Sequence, residues 1–508
     1  MDLLIRLLIW LFKEVITSTT SETPQFQQPV ASPELVLSHN VRQIAGRLTV
    51  VQSSARKQLD GLGELGPDLR EHVSPVLRKG VQDQAVELER QGERLLESIP
   101  RDGAQASFEH ARRFAFEVRQ LETVLEVTKE LLRQRVRESD RAVLGDADAL
   151  AQACYSPILE FARHHQLPIA SNFPMTLFYP GGTFIELAFI KQELAPIGLP
   201  ENYRREPWWW PAIAHEIAHD FYASLPAIEP ELSQKLFLEL AQTDTIEVGT
   251  EAFDRFLYRI WLEEIFADAV GSLMIGPAYL RAMTKIFRNP GSPERLVTVA
   301  ADDEGAVDVH PPRHLRVHIT GRFLHRQGFS GEARQMVRAW DSDHGPPQQG
   351  LFVTPGNRQA FPIESLLALG DSIADGIYNA EIAALAGHRL ADVPGLSFSA
   401  LHVRRAEKAR PRLAAGQPAA FDARALIAAA TDAALDHPEA VQRISDATRM
   451  SIVGVGTGER PARVRALAAG AGYPGPRADG TRRIVEAMLL EEILERRGGS
   501  QLSRRTRS

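Results

Sequence analysis

Apolar residues recur every three or four positions through the first third of the chain. Val41, Ile44, Leu48, Val51 and Ala55 follow that step, and Phe114, Val118, Leu121, Leu125, Thr128 and Leu132 repeat it with Arg and Glu between them. Such spacing puts one apolar stripe on each helix, and a stripe of this kind needs a partner helix to cover it. Pro67, Pro75, Pro100 and Gly103 divide the stretch, so an antiparallel helical bundle is predicted over 34–140, with a scaffold role. Strand signals appear once. Met175-Thr-Leu-Phe-Tyr179, the turn residues Pro180-Gly-Gly182, and Thr183-Phe-Ile-Glu-Leu-Ala-Phe-Ile190 predict a β-hairpin. After Pro211 the pattern is helical again, with irregular Pro/Gly-rich breaks near 289–312 and 343–362 and an Ala-rich helical stretch over 364–498. The expected fold class is α+β, mostly α-helical, with a small β-hairpin or sheet flanked by helical bundles.

The two ends differ from the rest. Leu3 to Phe12 is the most apolar stretch, yet it is too short to span a bilayer. Asp2, Arg6 and Lys13 recur near helical spacing there, so residues 2–16 either dock on the protein's own core or make peripheral membrane contact. Residues 17–33 are rich in Ser, Thr, Gln and Pro and read as a linker. The 508 residues carry a net charge of −7, which gives no reason to expect nucleic acid as partner. The last 108 residues are basic and finish in Ser503-Arg-Arg-Thr-Arg-Ser508, read as a frayed tail. The single cysteine, Cys154, cannot form an internal disulfide and is read as a buried structural residue; a reducing, cytoplasmic compartment is expected.

The chemistry concentrates in Pro211-Ala-Ile-Ala-His215-Glu216-Ile-Ala-His219-Asp220. On a helix, His215 and His219 lie one turn apart and point the same way, so two imidazoles can meet one metal ion. Glu216 stands beside them, where a carboxylate can deprotonate a water. A tetrahedral zinc site with catalytic capacity needs a third protein ligand and an open fourth position. Downstream, Trp261-Leu-Glu263-Glu264-Ile-Phe-Ala-Asp268 places Glu264 and Asp268 on one face of a largely apolar helix. Two acids there are costly to bury unpaired. Glu264 can supply the third ligand, and Asp268 can accept from the free ring nitrogen of a ligand histidine.

HExxH followed by ExxxD resembles the pattern of the gluzincin zinc metallopeptidases. Glu264-Ile-Phe-Ala-Asp268 looks like the ExxAD of the family that includes the CaaX prenyl endopeptidase and the heat-shock membrane endopeptidase. Val309-His310-Pro311-Pro312-Arg313-His314-Leu315-Arg316 resembles that family's HPPxxxR segment. The resemblance covers roughly residues 175–325. It implies zinc held by His215, His219 and Glu264, Glu216 as general base, Asp268 behind the ligands, and peptide or protein as substrate. His310 is then either a donor to the oxyanion or a structural histidine before Pro-Pro, and Arg316 an anchor of the acids. The family's membrane members carry spanning helices around these segments, whereas Phe221 to Glu263 holds Glu229, Glu231, Lys235, Glu239, Asp244, Glu247, Glu251 and Asp254. That is too polar to cross a bilayer, so the chain looks like a soluble relative. By the same resemblance the hairpin would offer an edge to which substrate adds as a strand, or would only pack the core.

The division expected is an amphipathic helix and linker (1–33), a helical bundle (34–140), a zinc metallopeptidase domain (145–345), a helical accessory region (360–498) and a basic disordered tail (499–508). Trp208-Trp209-Trp210 either line a pocket or split between core and surface. His314, His318 and His325 share a helical face and are read as a packed or solvated face, not as ligands. Two rival functions stand beside the peptidase. One is a silent peptidase-fold scaffold or regulatory binding protein. The other is a latent protease gated by the N-terminal bundle, which offers a surface for a helical partner.

Overall fold

A computed structural model of the chain describes residues 32–62, 67–169, 173–178, 194–239, 246–288, 296–301, 306–345 and 348–456. The segment at 2–16, the strand expected at 183–190 and the chain beyond 456 lie outside the described residues. Among the described residues helices predominate, with two small sheets. Among the described residues no helix is long and apolar enough to cross a membrane.

The N-terminal helices follow from their stripes. Helix α1 (Pro33–Gly61) opens with Pro33 in its first turn and Leu35 N donating to Ser32 Oγ at 3.3 Å, two features that satisfy a helix start. Helices α2 (Pro67–Pro75), α3 (Gln84–Asp102) and α4 (Ala104–Val136) follow. Val41, Leu48 and Ala55 meet Leu88, Leu95 and Ile99, and Phe114, Val118 and Leu125 close the core from α4. Gly103, at φ +85°, turns α3 into α4, a conformation that favours glycine. Pro75 does not break the chain as expected. The helix widens there into a π-helical stretch, Val76–Asp83, and runs on into α3. A proline removes one backbone donor, and a wider ladder accommodates the loss without ending the helix.

A second core begins in helix α5 (Glu138–His165) and extends to Ile452. Beside it lie strands β1 (Phe173–Phe178) and β2 (Leu194–Leu199), which pair in parallel. Among the described residues the partner of β1 is therefore 194–199, and the turn and second strand of the expected hairpin, 180–190, lie outside the described residues. Side chains also attach to the β1 backbone. Gln134 of α4 donates to Phe178 O and accepts from Phe178 N, both at 2.7 Å, while Asp148 accepts from Thr176 N at 2.7 Å. Met175 points into the bundle core and Phe178 into the second.

The second core is then filled by helices α6 (Ala212–Ser224), α7 (Ile228–Lys235), α8 (Glu251–Ile260), α9 (Leu262–Ile275), α10 (Pro277–Phe287), α11 (Arg313–Arg326) and α12 (Ser330–His344). Helices α6 and α9 pack on one another, and α11 packs on both α9 and α10. Strands β3 (Thr298–Ala300), β4 (Gln349–Thr354) and β5 (Asn357–Pro362) form a second sheet in that order, β3 parallel to β4 and β4 antiparallel to β5. The break expected over 343–362 is thus partly a hairpin, turned at Pro355-Gly356. Helices α13 (Glu364–Asn379), α14 (Ala400–Ala414), α15 (Ala423–Asp436) and α16 (Val441–Gly456) complete the described chain. Their Ile373, Ile377, Leu413, Leu426 and Ile444 share one core with Ile213, Ile217, Ile265 and Phe266.

Candidate metal centre

Helix α6 is apolar enough to be buried from Ile213 to Tyr222, so its polar residues are buried with it. His215, Glu216, His219 and Asp220 all lie below one tenth exposure. Asp220 accepts from Tyr155 of α5, which ties α6 to that helix. On α9, Glu264 and Asp268 are buried among Ile265, Phe266, Ala267 and Val270. Arg316 on α11 and Tyr279 on α10 are buried as well.

These side chains converge. His215 Nε2 and His219 Nε2 stand 3.1 Å apart. Glu264 Oε2 lies 3.4 Å from the first and Oε1 lies 3.3 Å from the second. A tetrahedral ion with bonds of about 2.0–2.1 Å sets its ligand atoms about 3.3–3.4 Å apart. The spacing of the three side chains therefore fits zinc.

The proton arrangement makes the fit more specific. His215 Nδ1 faces Asp268 Oδ1 at 3.1 Å, and His219 Nδ1 faces Glu263 Oε1 at 3.1 Å. An ionised carboxylate only accepts, so each Nδ1 carries the proton and donates it. In the neutral imidazoles both Nε2 atoms then present lone pairs, to each other and to Glu264. Glu264 Oε2 is itself buried without a hydrogen bond, although Arg316 Nη1 lies within ion-pair reach at 3.2 Å. Three lone-pair donors facing one point repel one another until a cation joins them.

Behind the ligands, Arg316 grips Asp268 with two parallel bonds, Nε to Oδ2 at 2.9 Å and Nη2 to Oδ1 at 2.8 Å. Such a fork fixes orientation as well as charge. Tyr279 Oη donates to Asp268 Oδ1 at 2.8 Å. His310 lies on the exposed rim, with Nε2 3.6 Å from Glu264 Oε1 and Nδ1 3.0 Å from Asp308 Oδ1. Trp261 Nε1 donates to Asp308 O at 2.9 Å, anchoring this segment to the start of α9.

The titration behaviour follows from burial and charge. Burial, with the Glu264 charge adding to it, lifts Glu216 above the ordinary carboxylate range against the pull of His215, His219 and Arg316, and among the described residues its carboxylate accepts no hydrogen bond. Burial also disfavours ionised Glu264, yet His310, Arg316 and His219 outweigh it and hold Glu264 well below that range. Asp268 is lowered against its own burial, chiefly by Arg316. For His310 at the rim, partial loss of solvent around the ring opposes protonation, but Glu264 and Asp308 push it up to about 9. Burial likewise works against protonation of His215 and His219, and the neighbouring acids raise both. The same carboxylates that draw a proton to these imidazoles would draw a divalent cation.

Every site residue expected from sequence lies in this assembly: His215, His219 and Glu264 at its centre, Glu216 beside them, Asp268 and Arg316 behind, and His310 at the rim. Sequence reasoning missed the partnerships of Glu263, Tyr279 and Asp308. For Glu263 the available signal was its place one residue before Glu264. The other singled-out residues are structural. Trp210 is buried and donates to Tyr203 O at 2.9 Å, while Trp208 and Trp209 are half-buried. Cys154 is buried, and burial pushes its thiol up to about 12. No protein-family model, curated protein or solved structure matches this chain.

Proposed function

We propose that this protein is a zinc-dependent endopeptidase of gluzincin type, acting on peptide or protein substrates. The observation that carries the reading is the convergence of the His215 and His219 Nε2 lone pairs with the Glu264 carboxylate, each Nδ1 proton being taken by an acid. Zinc in that cradle would supply Lewis acidity and lower the pKa of a bound water toward about 7.

The chain's own residues do the rest. Glu216, with a raised pKa and no competing hydrogen bond, takes a proton from the attacking water on a carboxylate oxygen and returns it to the leaving amine. His310 turns its Nδ1–H to Asp308 and carries Nε2–H at the rim beside Glu264, where it donates to the oxyanion that forms on the scissile carbonyl. Asp268 and Glu263 hold the two ligand imidazoles in the Nδ1–H tautomer. Arg316 holds Asp268 and offsets the buried negative charge.

The test compares wild type with Glu216→Gln for zinc content and for cleavage of an unbiased peptide mixture. Retained zinc with cleavage lowered by about 10²–10⁴ is expected. Equal cleavage by both proteins would refute the general base, and a wild type that binds no zinc would refute the centre. A second reading, latency, is favoured by one contact. Gln134 of the N-terminal bundle bonds to both backbone groups of Phe178 on β1, so the bundle holds the strand region that substrate would approach. Full-length Gln134→Ala should then cleave faster than wild type; an unchanged rate removes that reading.

A further inference from the structure

We infer that Tyr279 is a positioning residue of the metal centre, acting as a second tautomer lock on His215 together with Asp268; this rests on the zinc reading above. Tyr279 Oη lies 2.8 Å from Asp268 Oδ1 and 3.1 Å from His215 Nδ1. Asp268 is ionised and only accepts, so the phenol proton goes to Asp268. What Tyr279 then turns toward His215 Nδ1 is an oxygen lone pair. With Asp268 Oδ1 also 3.1 Å from that nitrogen, two acceptors face it. An Nδ1–H is welcomed by both, whereas a bare Nδ1 would meet two lone pairs with its own. The Nε2–H tautomer, which would block coordination, is disfavoured by both neighbours at once.

The fold makes a dedicated place for this ring. Gly276, at φ +67°, ends α9 and turns the chain so that α10 folds back with Tyr279 near its start. The ring then lies against Gly271, three residues after Asp268. A Cβ at Gly271 would stand 2.6 Å from Tyr279 Cε2 and 2.7 Å from Cζ, so only glycine leaves the ring this close to the helix. Four donors fill Asp268: the tyrosine hydroxyl, the imidazole Nδ1–H and both arms of Arg316. That nearly exhausts the lone pairs of a carboxylate. No freedom is left for Asp268 to rotate away from His215.

The test is zinc affinity of the full-length protein, by competition with a chromophoric chelator, and the visible spectrum of the cobalt-substituted form. Tyr279→Phe keeps the ring and removes only the hydroxyl. It should bind zinc about tenfold more weakly, at the low end of the range for partners behind metal ligands, with a shifted cobalt absorption. Gly271→Ala, which displaces the ring while keeping the hydroxyl, should move both readouts in the same direction. A merely structural tyrosine would change the thermal midpoint and leave affinity and spectrum unmoved, and that result overturns the inference alone. A wild type that binds no zinc overturns the metal centre and this inference with it.

Discussion

Among the described residues two clusters are built from the same parts: His215, His219 and Glu264 on one side, His314, His318 and Asp341 on the other. Each takes two histidines four apart on one helix and a carboxylate from another. They differ in what touches Nδ1. In the first cluster Asp268 and Glu263 accept from the two Nδ1 atoms, leaving bare Nε2 lone pairs. In the second, Trp340 Nε1 donates to His314 Nδ1 at 3.0 Å. An indole nitrogen can only donate, so neutral His314 carries its proton on Nε2, which faces Asp341 Oδ1 at 3.4 Å. His318 Nε2 faces the same oxygen at 2.9 Å. The rings differ too: His215 and His219 are nearly perpendicular at 88°, which lets their Nε2 atoms meet, whereas His314 and His318 are stacked at 24°. The spacing of two histidines puts them on one face. The neighbour of the other ring nitrogen decides whether they can hold a metal.

Asp268→Asn should break the first cluster most severely. It leaves Arg316 buried opposite a neutral amide and offers His215 Nδ1 a group that donates as readily as it accepts. Removing one partner of a buried ion pair costs about 3–5 kcal/mol, and losing a partner behind a metal ligand costs about 10–100-fold in affinity. Chemical unfolding and zinc competition should register both. Glu263→Ala should do less, because the Glu263 side chain is 27% exposed and water can replace it. A few-fold loss of zinc affinity with nearly unchanged stability is expected, and a loss as large as that of Asp268→Asn would contradict the difference in burial.

The second cluster makes a pH prediction. Burial, with His318 beside it, lowers His314 to about 4 from an ordinary 6.5. A histidine with a depressed folded pKa contributes stability that is complete above the unfolded value and is lost as pH falls from about 6.5 toward about 4. The full effect is on the order of 3 kcal/mol. Urea unfolding at pH 7 and pH 4.5 should show wild type losing more stability over that interval than His314→Gln. Equal losses would mean that His314 is not held neutral.

Much of the first cluster was legible in the sequence because its determinants are local. HExxH fixes two imidazoles on one helix face, and the four-residue step from Glu264 to Asp268 fixes two acids on another. The partners of Nδ1 were only half legible. Asp268 belongs to the same helical step as Glu264, but Tyr279 reaches back only because Gly276 turns the chain and Gly271 makes room. The stripes of α1 and α4 were readable for the same local reason. The β1–β2 pairing was not, since parallel pairing joins segments apart in sequence and leaves no local mark at 194–199. The β4–β5 hairpin was lost among polar residues, where Pro355-Gly356 between two short strands was the missed signal.

Zinc stoichiometry tests the central claim most directly. Metal analysis of full-length wild type, His219→Ala and His318→Ala after dialysis against zinc-free buffer should find about one equivalent in wild type, about one in His318→Ala and none in His219→Ala. A wild type without zinc, or zinc that leaves with His318 and stays without His219, would contradict the account.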